Sequence, residues 1–242
     1  IPFKPDGTVS KKYTFYGKII EADINITKDY RLKNLTAEVA YGESSHTNID
    51  GLRITINKGT FLNLKLLKSL IDIKFKGNKK FIRSSIHTKG NINFSEIKKI
   101  TSLLGSKINY FEDINLTSDL TTNIEFDIDN KFRVRNTSYA VQGDINSLQI
   151  KIKEKKVINE FIPSFNPEIT FKNSKINFKA LKGISGDHAL KLEGEAKFGD
   201  EFEKVQITQN YEKKNKKYSI SGSSTLDGSS VNISKLNYKK EK

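Results

Sequence analysis

Apolar and polar residues alternate with a period of two along most of the chain. Between Ile114 and Ile128 the even-numbered positions are mainly apolar, whereas the odd-numbered positions between them are all polar. A strand places such residues on opposite faces, and a helix cannot separate them in this way. The sequence therefore predicts one long strand here, with a bend near Ser118 and Asp119.

The same alternation recurs often enough to predict about a dozen strands. Its apolar members are Ile20, Ala22, Ile24 and Ile26; Leu35, Ala37, Val39 and Tyr41; Leu52, Ile54 and Ile56; Ile71, Ile73 and Phe75; Leu148, Ile150 and Ile152; Ile176, Phe178 and Ala180; Leu190, Leu192, Ala196 and Phe198; Val205 and Ile207; Tyr218 and Ile220. Polar turns are predicted between strands at residues 76–80, 127–131, 199–200, 212–217 and 227–230. Short turns between consecutive strands favour an up-and-down antiparallel meander over βαβ units.

One short helix, over residues 95–104, is predicted to interrupt the strands. Ser95 is expected to cap it, Glu96 suits its positive N-terminal end, and Gly105 can end it. An apolar stripe follows the helical period, whereas Lys98 and Lys99 face water; the stripe consists of Ile97, Ile100, Thr101 and Leu104. A second short turn is predicted over residues 157–162, before Pro163.

An alternating strand buries one face, and three architectures satisfy that requirement. The apolar face can pack on a second sheet as a sandwich, or the sheet can close into a barrel. A long meander can also curl into a half-open trough whose apolar face lines a groove, which suits acyl chains because they need apolar walls and few hydrogen bonds. Periodicity by itself favours a sandwich or barrel and does not separate the three.

Composition narrows the class of protein. The 242 residues are 36% hydrophobic and contain no cysteine and no methionine. They include no apolar run long enough for a transmembrane helix and no signal peptide, and the chain starts with Ile1, so we expect a fragment of a longer protein. The absence of cysteine excludes disulfides and thiolate catalysis. The net charge of +14 favours anionic partners. A composition rich in lysine, as an AT-rich genome produces, explains this charge equally well.

No group of residues has the spacing of a catalytic or metal site. His46, His87 and His188 are far apart, and Lys131 occupies the place where a calcium loop with Asp127 and Asp129 needs an oxygen ligand. Asp187 likewise resembles only a piece of a calcium loop. Gly183 and Gly186 have the spacing of turn glycines and not of a phosphate loop, and Ser84-Ser85 and Ser229-Ser230 have no base beside them. Glu193 and Glu195 share a solvated strand face with lysines, which favours surface ion pairs.

Basic runs next to tyrosines could bind single-stranded nucleic acid. Lys213-Lys214, Lys216-Lys217 and Lys239-Lys240 lie near Tyr211, Tyr218 and Tyr238. The runs fall in turns or at a terminus, however, where lysines mostly solvate the chain and protect sheet edges. We therefore do not expect nucleic acid as the partner.

Three segments carry a resemblance to a known family. Residues 49–56, 190–198 and 218–226 repeat short strands of alternating apolar residues with glycine, and in this they resemble the AsmA-like proteins of Gram-negative envelopes, including the TamB-type and YhdP-type members. The resemblance implies a single continuous β-groove over 1–242 in the periplasm, anchored in the inner membrane by segments outside this chain. It also implies transport of phospholipid between the inner and outer membranes, with no cofactor, metal or catalytic residue.

Only the role of lining the groove carries over to individual positions. The expected lining residues are the apolar alternate positions Ile71, Ile73, Phe75, Ile114, Leu116, Leu120, Ile124, Phe126, Ile128, Leu148, Ile150, Ile152, Ile176, Phe178, Leu190, Leu192 and Phe198. The prediction is thus an all-β, non-enzymatic, lipid-conveying trough with one short helix. A structural or adhesive β-sandwich or solenoid, and a basic module that binds polyanions, remain alternatives.

Overall fold

The part of the chain that the structure describes is almost entirely β-structure. A computed structural model describes residues 14–26, 28, 30–42, 51–77, 79–103, 111–153, 168–181, 186–197, 201–225, 231–233 and 237–240. Of these residues 81% lie in strands, and the helix α1 spans Phe94–Leu103. The prediction of an all-β fold with one short helix is confirmed.

Twelve strands form one antiparallel sheet. Its strand order is β1-β2-β3-β4-β6-β7-β8-β9-β10-β11-β12, and β5 pairs with β3 and β6. The strands are β1 Phe15–Asn25, β2 Arg31–Tyr41, β3 Gly51–Phe61, β4 Leu64–Leu66, β5 Ser69–Lys76, β6 Lys79–Asn93, β7 Phe111–Ile128, β8 Val134–Ile152, β9 Glu168–Leu181, β10 His188–Lys197, β11 Phe202–Glu212 and β12 Lys217–Ser224. A separate hairpin pairs β13, Val231–Ile233, with β14, Tyr238–Lys240.

The strand order bears on the sandwich and barrel alternatives. A sandwich needs two large sheets, but within the described ranges the second sheet has only two strands. A barrel needs its first and last strands to pair, whereas β1 and β12 stand at opposite ends of the described strand order. The sheet is therefore the open antiparallel meander that the turns predicted.

The chain forms two compact units, and each has its own apolar cluster. Unit 1 comprises Ile1–Lys89, Thr121–Val141 and Lys179–His188, and unit 2 comprises Gly90–Leu120, Gln142–Phe178 and Ala189–Lys242. The buried residues of the unit 1 cluster are Leu35, Ala37, Ile56 and Leu66. Those of the unit 2 cluster are Ile145, Phe171, Leu192, Ala196 and Val205.

The helix starts one residue earlier than predicted, and Asn93 caps it instead of Ser95. The Asn93 Oδ1 atom accepts a hydrogen bond from the Glu96 N–H at 3.1 Å, and Glu96 Oε2 accepts one from the Asn93 N–H at 3.0 Å. This reciprocal pair is a capping box, in which asparagine serves as well as serine. Lys98 and Lys99 are exposed as predicted, whereas Leu104, Gly105 and the predicted turn at 157–162 lie outside the described residues.

Three of the predicted turns join consecutive strands. Residues 76–80, 127–131 and 212–217 lie at the β5–β6, β7–β8 and β11–β12 connections. In the β7–β8 turn the Asp129 carboxylate accepts hydrogen bonds from backbone N–H groups, which is the hairpin-turn role that we expected for it. The turns predicted at 199–200 and 227–230 lie outside the described residues.

A β-bulge overturns the predicted facing of β1. Glu21 has a φ of 51°, and the register between β1 and β2 shifts between Ile19 and Ala22. The extra residue of a bulge moves the preceding side chains to the other face. Ile19 therefore packs against the unit 1 cluster, whereas Ile20 is 72% exposed. The prediction that Ile20, Ala22, Ile24 and Ile26 share an apolar face is wrong, and both Ile24 and Ile26 are exposed.

A glycine lets β9 and β10 approach closely in unit 2. A Cβ atom at Gly194 would lie 2.6 Å from the Cα and 2.5 Å from the Cβ of Ser174, which is 1% exposed. Because a backbone atom cannot rotate away as a flexible side chain can, only glycine fits at this position. On β10, Gly194 lies between Leu192 and Ala196, which are buried members of the unit 2 cluster.

Candidate functional site

In unit 1 the predicted apolar positions form rows across neighbouring strands. Leu52 of β3 pairs with Ile73 of β5, which pairs with Ile82 of β6. The next row pairs Val39, Ile54 and Ile71. Residues that pair directly across strands share a face of the sheet. On this side Ile54 and Ile71 pack on the buried cluster. We call it the apolar face of unit 1.

One end of this apolar face carries two aromatic rings, of which one is exposed. Phe75 lies in the same alternation as Ile71 and Ile73, and its side chain is 40% exposed. Its ring centroid is 6.2 Å from that of Tyr41, which pairs with Leu52 in the neighbouring row. The face is therefore buried in its middle and open to solvent near the β5–β6 turn.

In unit 2 the predicted residues from several strands meet in one cluster. Leu192 is buried there, and four further predicted residues pack against the buried members: Leu116, Leu148, Ile150 and Ile176. They come from β7, β8, β9 and β10. The meander thus brings to one cluster predicted lining residues that are as far apart in the chain as Leu116 and Leu192. This side is the apolar face of unit 2.

Most of the predicted lining residues are neither sealed from solvent nor fully exposed. Ile114 and Leu192 are buried, Phe75 is exposed, and Phe198 lies outside the described residues. The other thirteen are half-buried: Ile71, Ile73, Leu116, Leu120, Ile124, Phe126, Ile128, Leu148, Ile150, Ile152, Ile176, Phe178 and Leu190. Residues between two packed sheets are normally buried, so this half-burial distinguishes the face from a sandwich core.

The opposite face of unit 1 carries a row of alternating charges. Arg53 donates from Nε and Nη2 to the two carboxylate oxygens of Asp72, at 2.8 and 3.0 Å. Asp72 pairs across the strands with Arg83, whose Nε lies 3.3 Å from Oε1 of Glu125. The hydrogen bond from Arg53 to Asp72 raises the pKa of the guanidinium above its usual value. The row links four strands through ion pairs on the polar side.

A cavity of about 600 Å³ lies in unit 1 beside these charges. Three cations and three carboxylates line it, together with Asn136 and apolar residues that include Phe81 and the predicted lining residue Phe126. Within this wall Asn136 donates to the Asp127 carboxylate at 2.7 Å. The wall is balanced in charge, unlike the chain as a whole.

The two carboxylates considered for acid–base chemistry take part in ion pairs, and Gly183, Ser229 and Ser230 lie outside the described residues. Lys191 pairs with Glu193 at 2.6 Å and Lys172 with Glu195 at 3.4 Å. The hydrogen bond from Lys191 lowers the pKa of Glu193. These are the surface pairs that the sequence predicted in place of an acid–base dyad. Within the described ranges no three His, Asp or Glu side chains are placed to hold a metal ion, and His46 lies outside those ranges.

Phe171 and Ile145 are buried members of the unit 2 cluster that belong neither to the predicted alternating positions nor to the predicted lining residues. Phe171 and Ile145 are 6% and 3% exposed. Phe171 has the opposite parity to Ile176, yet both belong to the same cluster, because Asn173 between them has a φ of 48° and breaks the alternation. The sequence does carry a signal for this break in the alternation, namely an Asn within the alternating run, because asparagine tolerates the left-handed region.

Comparisons do not identify a family. No protein-family model, curated protein or solved structure matches the chain. The resemblance to AsmA-like proteins therefore stays a prediction. Among the described residues no helix has the length and apolar character needed to cross a bilayer.

Proposed function

We propose that this chain is a non-enzymatic, lipid-conveying segment of a cell-envelope protein. In this proposal the apolar faces of the two units hold phospholipid acyl chains on their way between the inner and outer membranes. The segment works in the periplasm, and membrane anchors belong to parts of the protein outside this chain. No cofactor takes part.

The half-burial of thirteen predicted lining residues is the observation that supports the proposal. Half-buried Leu, Ile and Phe side chains leave apolar surface in contact with solvent, at a cost of roughly 25 cal/mol for each Å². An acyl chain laid on the face removes that surface from water without requiring any hydrogen-bond partner. A structural sandwich would bury the same residues against its own second sheet.

Site-specific photo-cross-linking tests the proposal. A benzophenone amino acid placed at Ile176, half-buried against the unit 2 cluster, should form an adduct with phospholipid in protein purified from bacterial cells. Lys175 is the matched control, because it is exposed and its side chain lies on the other side of the same strand. In unit 1, Ile124 and the exposed Glu125 form an equivalent pair.

The readout is the intact mass of each variant after irradiation. Adducts at Ile176 and Ile124, with few at their neighbours, support a lipid path along the apolar faces. Equal yields within each pair, or no lipid adduct at any of the four positions, would contradict it.

A further inference from the structure

The β7–β8 turn of unit 1 presents an aromatic ring to solvent. Phe132 is 77% exposed, the largest exposed fraction among the large hydrophobic residues that the structure describes. Its φ of 56° lies in the left-handed region, which a bulky residue rarely occupies. Strained backbone of this kind persists where the surroundings enforce it, often at functional sites. Val134, two residues further on, is 57% exposed.

The Asp129 carboxylate holds the turn in this conformation. Its Oδ1 atom accepts hydrogen bonds from the backbone N–H groups of Lys131 and Arg133, at 2.9 and 3.0 Å. Its Oδ2 atom pairs with the Arg133 guanidinium at 2.8 Å. The backbone N–H of Phe132 donates to the Asp129 carbonyl oxygen at 3.0 Å. The ring is thus held outward by a local network.

A lysine contacts the exposed ring, and further cations belong to the same two turns. The Lys80 ammonium lies 5.0 Å from the centroid of the Phe132 ring. This contact joins the β5–β6 turn to the β7–β8 turn. Residues 76–80 and 127–135, which we call the basic aromatic edge, contain six Lys or Arg residues and two Asp residues. The six cations are Lys76, Lys79, Lys80, Lys131, Arg133 and Arg135.

We propose that the basic aromatic edge docks on the surface of an anionic phospholipid bilayer. Phe132 and Val134 would enter the interfacial region. Because Arg133 and Arg135 pair with the Asp129 carboxylate, the lysines of the edge would make the contacts with lipid phosphates. Basic residues together with exposed apolar side chains fit a membrane better than a nucleic acid, because the aliphatic Val134 has no part in base stacking. This inference does not depend on the lipid-conveying proposal.

A tryptophan reporter tests the docking directly. The chain contains no tryptophan, so Phe132→Trp introduces a single one at the edge. Its emission should shift to the blue with vesicles of phosphatidylcholine and phosphatidylglycerol, and brominated lipids should quench it. Ile220→Trp is the matched control, since Ile220 is 66% exposed on β12 in unit 2, and its emission should not change. Pure phosphatidylcholine vesicles should give little shift in either variant.

Charge reversal tests the electrostatic part of the proposal. Lys79→Glu should lower the partition coefficient onto the anionic vesicles about fivefold or more, because each basic residue near the surface contributes roughly 1 kcal/mol to the free energy of binding. Lys214→Glu, an exposed lysine in the β11–β12 turn, should have a much smaller effect. Far-UV circular dichroism checks that all variants fold.

Three outcomes would overturn the proposal. Equal losses for Lys79→Glu and Lys214→Glu would mean that overall basicity drives binding. An equal shift of the Phe132→Trp emission with soluble heparin would indicate a polyanion site. No shift with anionic vesicles at low salt would show that the edge does not reach a bilayer.

Discussion

Two leucines on β10 separate a buried core from an accessible apolar face. Leu192 is 8% exposed and belongs to the unit 2 cluster, whereas Leu190, two residues earlier, is half-buried. Side chains two positions apart on a strand share a face. The pair therefore offers the same substitution, Leu→Asp, on the same strand and face at two depths of burial.

The expected costs differ widely. Leu192→Asp gives up the transfer free energy of a buried leucine, about 1.5–3 kcal/mol. It also buries an unpaired carboxylate, which adds several kcal/mol, so the total reaches about 5 kcal/mol or more. That loss is comparable with the whole stability of many domains, about 5–15 kcal/mol. Leu190→Asp should cost far less because water can reach its carboxylate.

Urea denaturation followed by far-UV circular dichroism measures the difference. We expect Leu192→Asp to be unfolded or to have a greatly lowered midpoint, and Leu190→Asp to stay near wild type. Burial raises the pKa of an introduced carboxylic acid, so the defect at position 192 should ease as the pH falls and the group is protonated. Collapse of both variants would mean that the half-buried face is a sealed core, and a stable Leu192→Asp would refute the assignment of the unit 2 cluster.

Three further predictions concern local structure. Gly194→Ala should lower the free energy of unfolding by about 1–3 kcal/mol, because its Cβ would overlap Ser174; equal midpoints in urea denaturation would contradict the close approach. Asn93→Ala should cost about 1 kcal/mol by removing the helix cap, and faster amide hydrogen exchange in α1 should accompany it. The hydrogen bonds to Asp129, first among them the Arg133 N–H, lower its pKa from 3.8 to about 2. The ionised carboxylate therefore stabilises the turn fully above the ordinary pKa, and this stabilisation is lost as the pH falls from 3.8 to about 2. In NMR exchange experiments the amide protection at Arg133 should fall over the same pH range. Asp129→Asn should abolish this pH dependence.

The sequence determined the fold class because alternation is a local property. In β7 the apolar even positions and polar odd positions allow a strand and exclude a helix. Short polar turns then require consecutive strands to pair antiparallel, as β11 and β12 do through residues 213–216. The helix followed from its own local period, and only its cap was predicted two residues too late, at Ser95 instead of Asn93.

The facing of side chains was determined less completely, because bulges reset it. Glu21 and Asn173 adopt left-handed backbone conformations within strands, and each changes which neighbours share a face. Glutamate at such a position carries no sequence signal, so the exposure of Ile20 could not be predicted. Asparagine at such a position carries a weak sequence signal, and a break in the alternation at Asn173 places Phe171 in the cluster with Ile176.

Only the tertiary structure decided how deeply each apolar position is buried. Ile114 and Leu192 are buried and Leu190 is not, although all three occupy equivalent places in the alternation. Burial depends on what covers a face, and residues far apart in the chain decide that. The meeting of Lys80 with Phe132 has the same origin, since the pairing of strands, and not the local pattern, brings the two turns together.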